Sequence, residues 1–486
     1  MAITVNKIIS RIRSLKPGKD IESVPEKLRR MRKLASNETH KESYLRRART
    51  FIWSLWLLVL IWAAEAKLKQ YLIVFGIVLL AVIAFIFNPV EESPKYGLDH
   101  DFAIESSEFL PSMTGATDTN FVSGNRIDIL NNGDQFYPSM LEAIGQARRS
   151  ITIEAYIYWS GEIGRKFADA IAAKARSGVT VKILLDAVGS ATISDEILQT
   201  LKASGCDVRW YHPVRWYSIN RVNNRTHRKS VIVDGRIGFT GGAGIADQWL
   251  GNAQDQDHWR DIQIRIEGPA VIPLQTGFAQ NWLETTRELV SGEDFFPQPQ
   301  AAGSLVAQSI LSDPEMGSST VRIMYYLSIA CARKSILIAN PYFVPDNEAI
   351  EILIDARHRG VDVKIMVAGE HNDNRFARDN STRLYGTLLK AGVDIYEYKP
   401  TMLHYKFMVC DGVWSTIGTT NFDNRSFALN DENNVCVYDR DFAMRWTGIF
   451  MEDLASSRKI SLDQWRDRGM MIQLRELIVS LLRDQV

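Results

Sequence analysis

The 486-residue chain is 46% hydrophobic and 23% charged, an ordinary globular composition with room for two domains of normal size. Its formal charge is zero, but residues 1–49 hold 14 Lys/Arg against five Asp/Glu, so the rest of the chain is net acidic by the same margin. This pattern excludes a body that binds nucleic acid over its whole surface, and four widely spaced cysteines (Cys206, Cys331, Cys410, Cys436) lack metal-ligand spacing and read as buried free thiols in a reducing compartment.

The basic arm 1–49 carries two clusters, LRRMRK at 28–33 and RRAR at 46–49. These read as a topology signal or as a grip on anionic lipid headgroups. Two uncharged apolar runs follow, FIWSLWLLVLIWAA (51–64) and YLIVFGIVLLAVIAFIF (71–87), with Glu65, Lys67 and Lys69 between them. Each falls short of the ~20 residues that span a bilayer, so residues 50–88 are expected to form a transmembrane hairpin with spans of about 51–66 and 71–87. The first run begins too far into the chain for a signal peptide. The positive-inside tendency keeps the arm cytoplasmic, and a hairpin returns the body to the same side. Residues 89–122, polar and without periodicity, read as a linker.

The remainder repeats itself. In the first half (123–300) strand RIDIL (126–130) leads through a helix near 137–149 to strand SITIEAYIYW (150–159). A helix ending AAKARSGV, strand TVKILLDAV (180–188) and a helix ending LKASGCDV follow. In the second half (301–486) strand-like VRIMYY (321–326) leads to SIACARKSILIANPYFVP, a helix ending DARHRGV, strand DVKIMVAG (362–369) and a helix ending LLKAGVDI. Helix–Gly–Val–strand recurs at Gly178-Val179 and Gly360-Val361, which is αβ punctuation. The alternation implies α/β layering, with helices packed on mixed sheets.

Each half then delivers one triplet of spacing H-x-K-x4-D: His227, Lys229, Asp234 and His404, Lys406, Asp411. On a strand, positions i and i+2 face the same way, so imidazole and ammonium stand side by side, and the Asp is expected nearby. One imidazole can attack phosphorus, the other can protonate a departing alkoxide, and the ammoniums can stabilise charge on the non-bridging oxygens. The Asp would orient an imidazole that becomes cationic. A Lys between His and Asp disfavours a zinc site, and the chemistry calls for no cofactor.

Paired triplets, NPYFVPD (340–346), LLKAGVDIYEY (388–398) and GTTNFDNRSFALNDEN (418–433) together resemble the phospholipase D superfamily, and within it the bacterial cardiolipin synthases, over about residues 123–460. The resemblance implies two pseudo-symmetric α/β/α domains, one metal-free site and a phosphohistidine intermediate. By analogy His227 is the nucleophile and His404 the general acid, although the two-fold character allows the reverse. Asn421 would bind a phosphate oxygen, and Glu432 and Asp261 would support the histidine rings. Gly244 stands where the family has a second Asn. The implied partners are phospholipid, phosphatidylglycerol above all, and a bacterial inner membrane with the catalytic body on its cytoplasmic face; no nucleic acid is expected. Rival readings are a phospholipase D hydrolase, a nuclease-like phosphodiesterase and a membrane scaffold with a relic site. Trp210–Tyr217 with Arg221 and Arg225 reads either as an interfacial lip or as core, and 470–482 reads as an amphipathic helix that docks on the body or touches lipid.

Overall fold

The computed structural model describes residues 73–79, 97, 101–213, 223–313 and 319–479. The basic arm and nearly all of the expected hairpin lie outside the described residues; 73–79 is a short helix with Ile73, Phe75, Ile77 and Leu79 exposed. Among the described residues no helix is long and apolar enough to cross a membrane. The chain divides into residues 1–89 and a compact body of residues 90–486.

The body is built on fifteen strands. The first half contributes β1 (Val122–Asn131), β2 (Ser150–Ala155), β3 (Thr180–Asp186), β4 (Asp207–Tyr211), β5 (Ser230–Val233), β6 (Ile237–Gly241) and β7 (Ile262–Glu267). The second contributes β8 (Leu305–Ser312), β9 (Ser335–Ala339), β10 (Asp362–Ala368), β11 (Asp394–Tyr398), β12 (Lys406–Cys410), β13 (Trp414–Gly418), β14 (Glu432–Tyr438) and β15 (Ser457–Ile460). Their order is β15-β11-β10-β9-β12-β13-β14-β8-β1-β7-β6-β5-β2-β3-β4. Read outward from the β1–β8 seam, the two halves have the same order, and β15 is the second half's extra edge strand. β2, β3 and β4 run parallel, as do β9, β10 and β11, while the inner strands are antiparallel. The expected mixed sheets are therefore present, joined as one.

Physical causes are local. β2 is buried at every position, as befits a strand covered on both faces. Gly178 and Gly360 sit at φ 93° and 89°, ending their helices where a Cβ would be strained. Each half has its own core, and a third core joins Ile262, Ile264 and Ile266 of the first half to Leu403, Tyr405 and Phe407 of the second. The halves thus share apolar interior as well as backbone pairing. All four cysteines are buried free thiols.

Two expectations need correction. VRIMYY is helical, within Thr320–Cys331, and the counterpart of β1 is β8. Val321, Met324, Tyr325, Ser328 and Ile329 recur at three- and four-residue steps and are all buried, so helical burial overrides their strand propensity. The later part of the expected linker is also folded. Phe102, Ile104, Phe109 and Met113 are buried in the second half's core, the last two one turn apart on helix Phe109–Thr117. At the other end, helix Met470–Val479 docks on helix Arg375–Lys390, with Arg475 and Asp379 paired at 2.6 Å. Met470 and Met471 remain exposed.

Candidate active site

His227 lies just before β5 and His404 just before β12, the equivalent strands of the two halves. Both rings, with Lys229, line one cleft of about 360 Å³. Lys406, fully buried, approaches to 3.1 Å from the His404 ring nitrogens. Lys229 Nζ donates to the His227 carbonyl at 2.9 Å and stands 5.3 Å from the centre of the Tyr156 ring.

The carboxylates that hold these rings come from the opposite halves. His227 Nδ1 lies 2.9 Å from Glu432 Oε1, and His404 Nδ1 lies 2.8 Å from Asp261 Oδ2. Backbone bridges enforce the crossing. His227 N–H donates to the Asp431 carbonyl at 2.9 Å, and His404 N–H donates to the Arg260 carbonyl at 2.8 Å. Each histidine is therefore stitched to the residue immediately before the other half's acid. The acids are themselves anchored: Thr419 Oγ1 donates to Glu432, and Trp249 Nε1 donates to Asp261 at 2.8 Å. Both acids are wholly buried.

Asp234 and Asp411 are placed differently from expectation. Asp234 accepts hydrogen bonds from the backbone N–H groups of Arg148, Arg149 and Ser150, and Asp411 does the same for Arg333, Lys334 and Ser335. Both sit at positive φ, 54° and 55°, where their strands turn. Each lies five residue steps along extended chain from its Lys, roughly 16 Å. They hold the start of β2 and of β9, and the imidazoles look to Glu432 and Asp261 instead.

Burial sets the protonation. It lowers His227 to about 4, against Glu432, and His404 to about 3, with Lys406 adding to the effect. Burial likewise lowers Lys229 to about 7, reinforced by Lys406, and Lys406 to about 8. Glu432 is held below its ordinary value: burial opposes this, but His227, Lys229 and Thr419 outweigh it. An ionised carboxylate only accepts, so the Nδ1 of a neutral His227 carries the proton and Nε2 presents its lone pair. Among the described residues no cluster of three or more His, Cys, Asp or Glu side chains could hold a metal ion.

Asn421 lines the cleft, and its Oδ1 has no partner among the described residues. Its first-half equivalent, Gly244, has no room for a side chain, because a Cβ there would lie 2.8 Å from the Ile157 Cβ. Ile157, also in the cleft wall, occupies that space. Of the expected aromatic lip, 214–222 lies outside the described residues. Tyr211 is buried with its hydroxyl 2.8 Å from Asp431, and Arg225 is buried in the cleft wall 3.6 Å from Asp186. Sequence alone gives no role to Trp249 or to Thr419 of the GTTN segment, which anchor acids 12 and 13 positions further along the same half, nor to Tyr342 and Asp373. Tyr342 sits inside the NPYFVPD segment that carried part of the resemblance.

Comparison with known proteins decides the family. A model of the "Cardiolipin synthase, PLD-like domain" matches residues 140–282 and 327–454, so each segment contains one His–Lys pair and one of the two supporting acids. The chain belongs to this cardiolipin synthase family. The major cardiolipin synthase ClsA of Bacillus subtilis (strain 168) is 34% identical over 365 residues, covering 74% of this chain and 76% of the relative. Cardiolipin synthase 1 of Bacillus cereus is 36% identical over 364 residues, covering 73% and 71%. The crystal structure of phosphatidylserine synthase from Haemophilus influenzae Rd KW20 superposes with a TM-score of 0.61 over 78% of this chain and 100% of that one, at 15% identity, a likeness of fold. As in the family model, this cardiolipin synthase-type chain is two phospholipase D-like repeats in an α/β body.

Proposed function

We propose that the protein is a phosphatidyltransferase that makes cardiolipin from two phosphatidylglycerol molecules. The observation that carries this reading is the crossed pairing of two histidines, each held by a buried acid of the opposite half, on one cleft. His227 Nε2 attacks the phosphorus of the first lipid. The bond from phosphorus to the head glycerol's oxygen breaks, and that oxygen takes a proton from His404. The terminal hydroxyl of a second phosphatidylglycerol then returns a proton to His404 as its oxygen attacks phosphorus, and the P–N bond breaks. Lys229, Lys406 and Asn421 hold the non-bridging oxygens. The phosphodiester anion between the lysines raises the proton affinity of His404, which prepares it to act as an acid.

The names of the relatives and the apolar runs at 51–64 and 71–87 support a lipid substrate and a membrane hairpin at 50–88, with the body on the cytoplasmic face of a bacterial inner membrane. Purified protein with phosphatidylglycerol vesicles is expected to yield cardiolipin and glycerol. His227→Ala and His404→Ala are each expected to abolish both products. Phosphatidic acid as the sole product would make the protein a hydrolase, and full activity in either variant would overturn the mechanism.

A further inference from the structure

The two sides of the cleft are chemically unequal. Beside His227 stands Tyr156, ring centres 5.0 Å apart, followed by the apolar Ile157. The position matching Ile157 in the segment that follows β9 is Tyr342, whose ring lies 6.2 Å from that of His404. The Tyr342 hydroxyl donates to Asp373 Oδ1 at 2.5 Å, and both residues line the cleft. Asp373 immediately precedes Asn374, the residue whose side chain caps helix Arg375–Lys390. The corresponding cap in the first half is Ser194 of helix Asp195–Ala203, and the residue before it, Ile193, is buried in the core. A carboxylate at the rim of the cleft therefore replaces a core isoleucine in one half only.

A carboxylate repels the phosphodiester that the lysines attract, so it serves another part of the substrate. Asp373 stands exposed at the rim, where its carboxylate accepts from Tyr342. Lys406 already supplies the cation on this side, so a cationic headgroup would gain little. A neutral group rich in hydroxyls suits a carboxylate acceptor and a phenol oxygen. In-line displacement fixes where that group sits. With His227 attacking from one side, the departing oxygen leaves beside His404, and the entering hydroxyl returns along the same path.

We infer that Tyr342 and Asp373 form a polyol subsite on the His404 side of the cleft, reading the hydroxyls of the glycerol head as it departs from the donor and as it enters on the acceptor lipid. This rests on the two-step transfer proposed above. Asp373 and Tyr342 thereby act as specificity residues for the group that leaves and enters beside His404.

The test uses the full chain with phosphatidylglycerol vesicles and competing soluble alcohols: isotope-labelled glycerol, 1-propanol and ethanolamine, each read as its phosphatidyl adduct. The glycerol-to-propanol ratio is taken within each variant, so a general loss of activity cancels. The wild type is expected to favour glycerol, and Asp373→Ala to lower the ratio roughly tenfold, the scale of one lost hydrogen bond to a charged group. Tyr342→Phe and Asp373→Asn are expected to lower it less, and they carry the test if Asp373→Ala yields too little product. An unmoved ratio with ample adducts would overturn the subsite while leaving the transfer chemistry intact. Ethanolamine outcompeting glycerol in the wild type would overturn it in favour of an ammonium site. No alcohol adduct from the wild type would defeat the transfer reading and the subsite with it.

Discussion

In the proposed transfer, two imidazoles of the same sequence context take different jobs only through what touches them. Glu432→Gln and Asp261→Asn keep side-chain volume and remove the charge that opposes each Nδ1, so each is expected to lower kcat by about 10²- to 10³-fold with little change in KM. The two should then part company on an activated substrate. A p-nitrophenyl phosphodiester needs no protonated leaving group, so it is expected to rescue Asp261→Asn, which weakens the acid, and not Glu432→Gln, which weakens the nucleophile. Equal rescue of both would contradict the division of labour. The lysines make a separate prediction. Their values of about 7 for Lys229 and about 8 for Lys406 belong to the protein alone, and a bound phosphodiester favours the charged form and raises both. Affinity is therefore fullest below about pH 7 and lost as pH rises through 8, so KM measured from pH 6 to 9 is expected to climb on the alkaline side. A flat or falling KM there would contradict the charge assignment.

Strands and helices explain why the H-x-K-x4-D spacing is only half a catalytic signature. His and Lys two apart do meet, but the Asp, five extended residues further along, serves the fold. Asp234→Ala and Asp411→Ala each remove an acceptor for three backbone N–H groups at the start of β2 or β9. Each is expected to cost roughly 2–3 kcal/mol, read as a lower denaturant midpoint, with the kcat of the folded protein nearly retained. A stable but inactive Asp234→Ala would return that residue to the chemistry. The same scale shows what the sequence discloses. Alternating helices and strands, the Gly178 and Gly360 stops and the same-face His–Lys pairs follow from local periodicity and are all present. Helix Thr320–Cys331 reads as a strand in sequence because its aromatic and β-branched residues suit one, and β8 gives little signal because LVAQSILS has weak alternation. Residues 102–113 read as linker because scattered apolar residues, Phe102, Ile104, Phe109 and Met113 among them, become a core only against a partner that is distant in sequence.

At the scale of the whole molecule, the site exists only where two repeats meet. The β1–β8 seam, the shared apolar core and the reciprocal bridges at Asp431 and Arg260 bring Glu432 beneath His227 and Asp261 beneath His404. No local pattern reports such a crossing. The resemblance to a known family pointed to the two acids, while the half each one serves is a fact of tertiary structure. Gly244 shows the same dependence: the departure from the second half's Asn421 becomes intelligible once Ile157 is seen in its place. The central claim is that both histidines act on one phosphorus, with His227 bonded to it in the intermediate. It is tested most directly by mixing His404→Ala with a labelled phosphatidyl donor bearing a good leaving group, quenching at alkaline pH and mapping the label on the protein. One acid-labile phosphatidyl group on His227 is the expected result; label on another residue, or none while the donor is consumed, would contradict it.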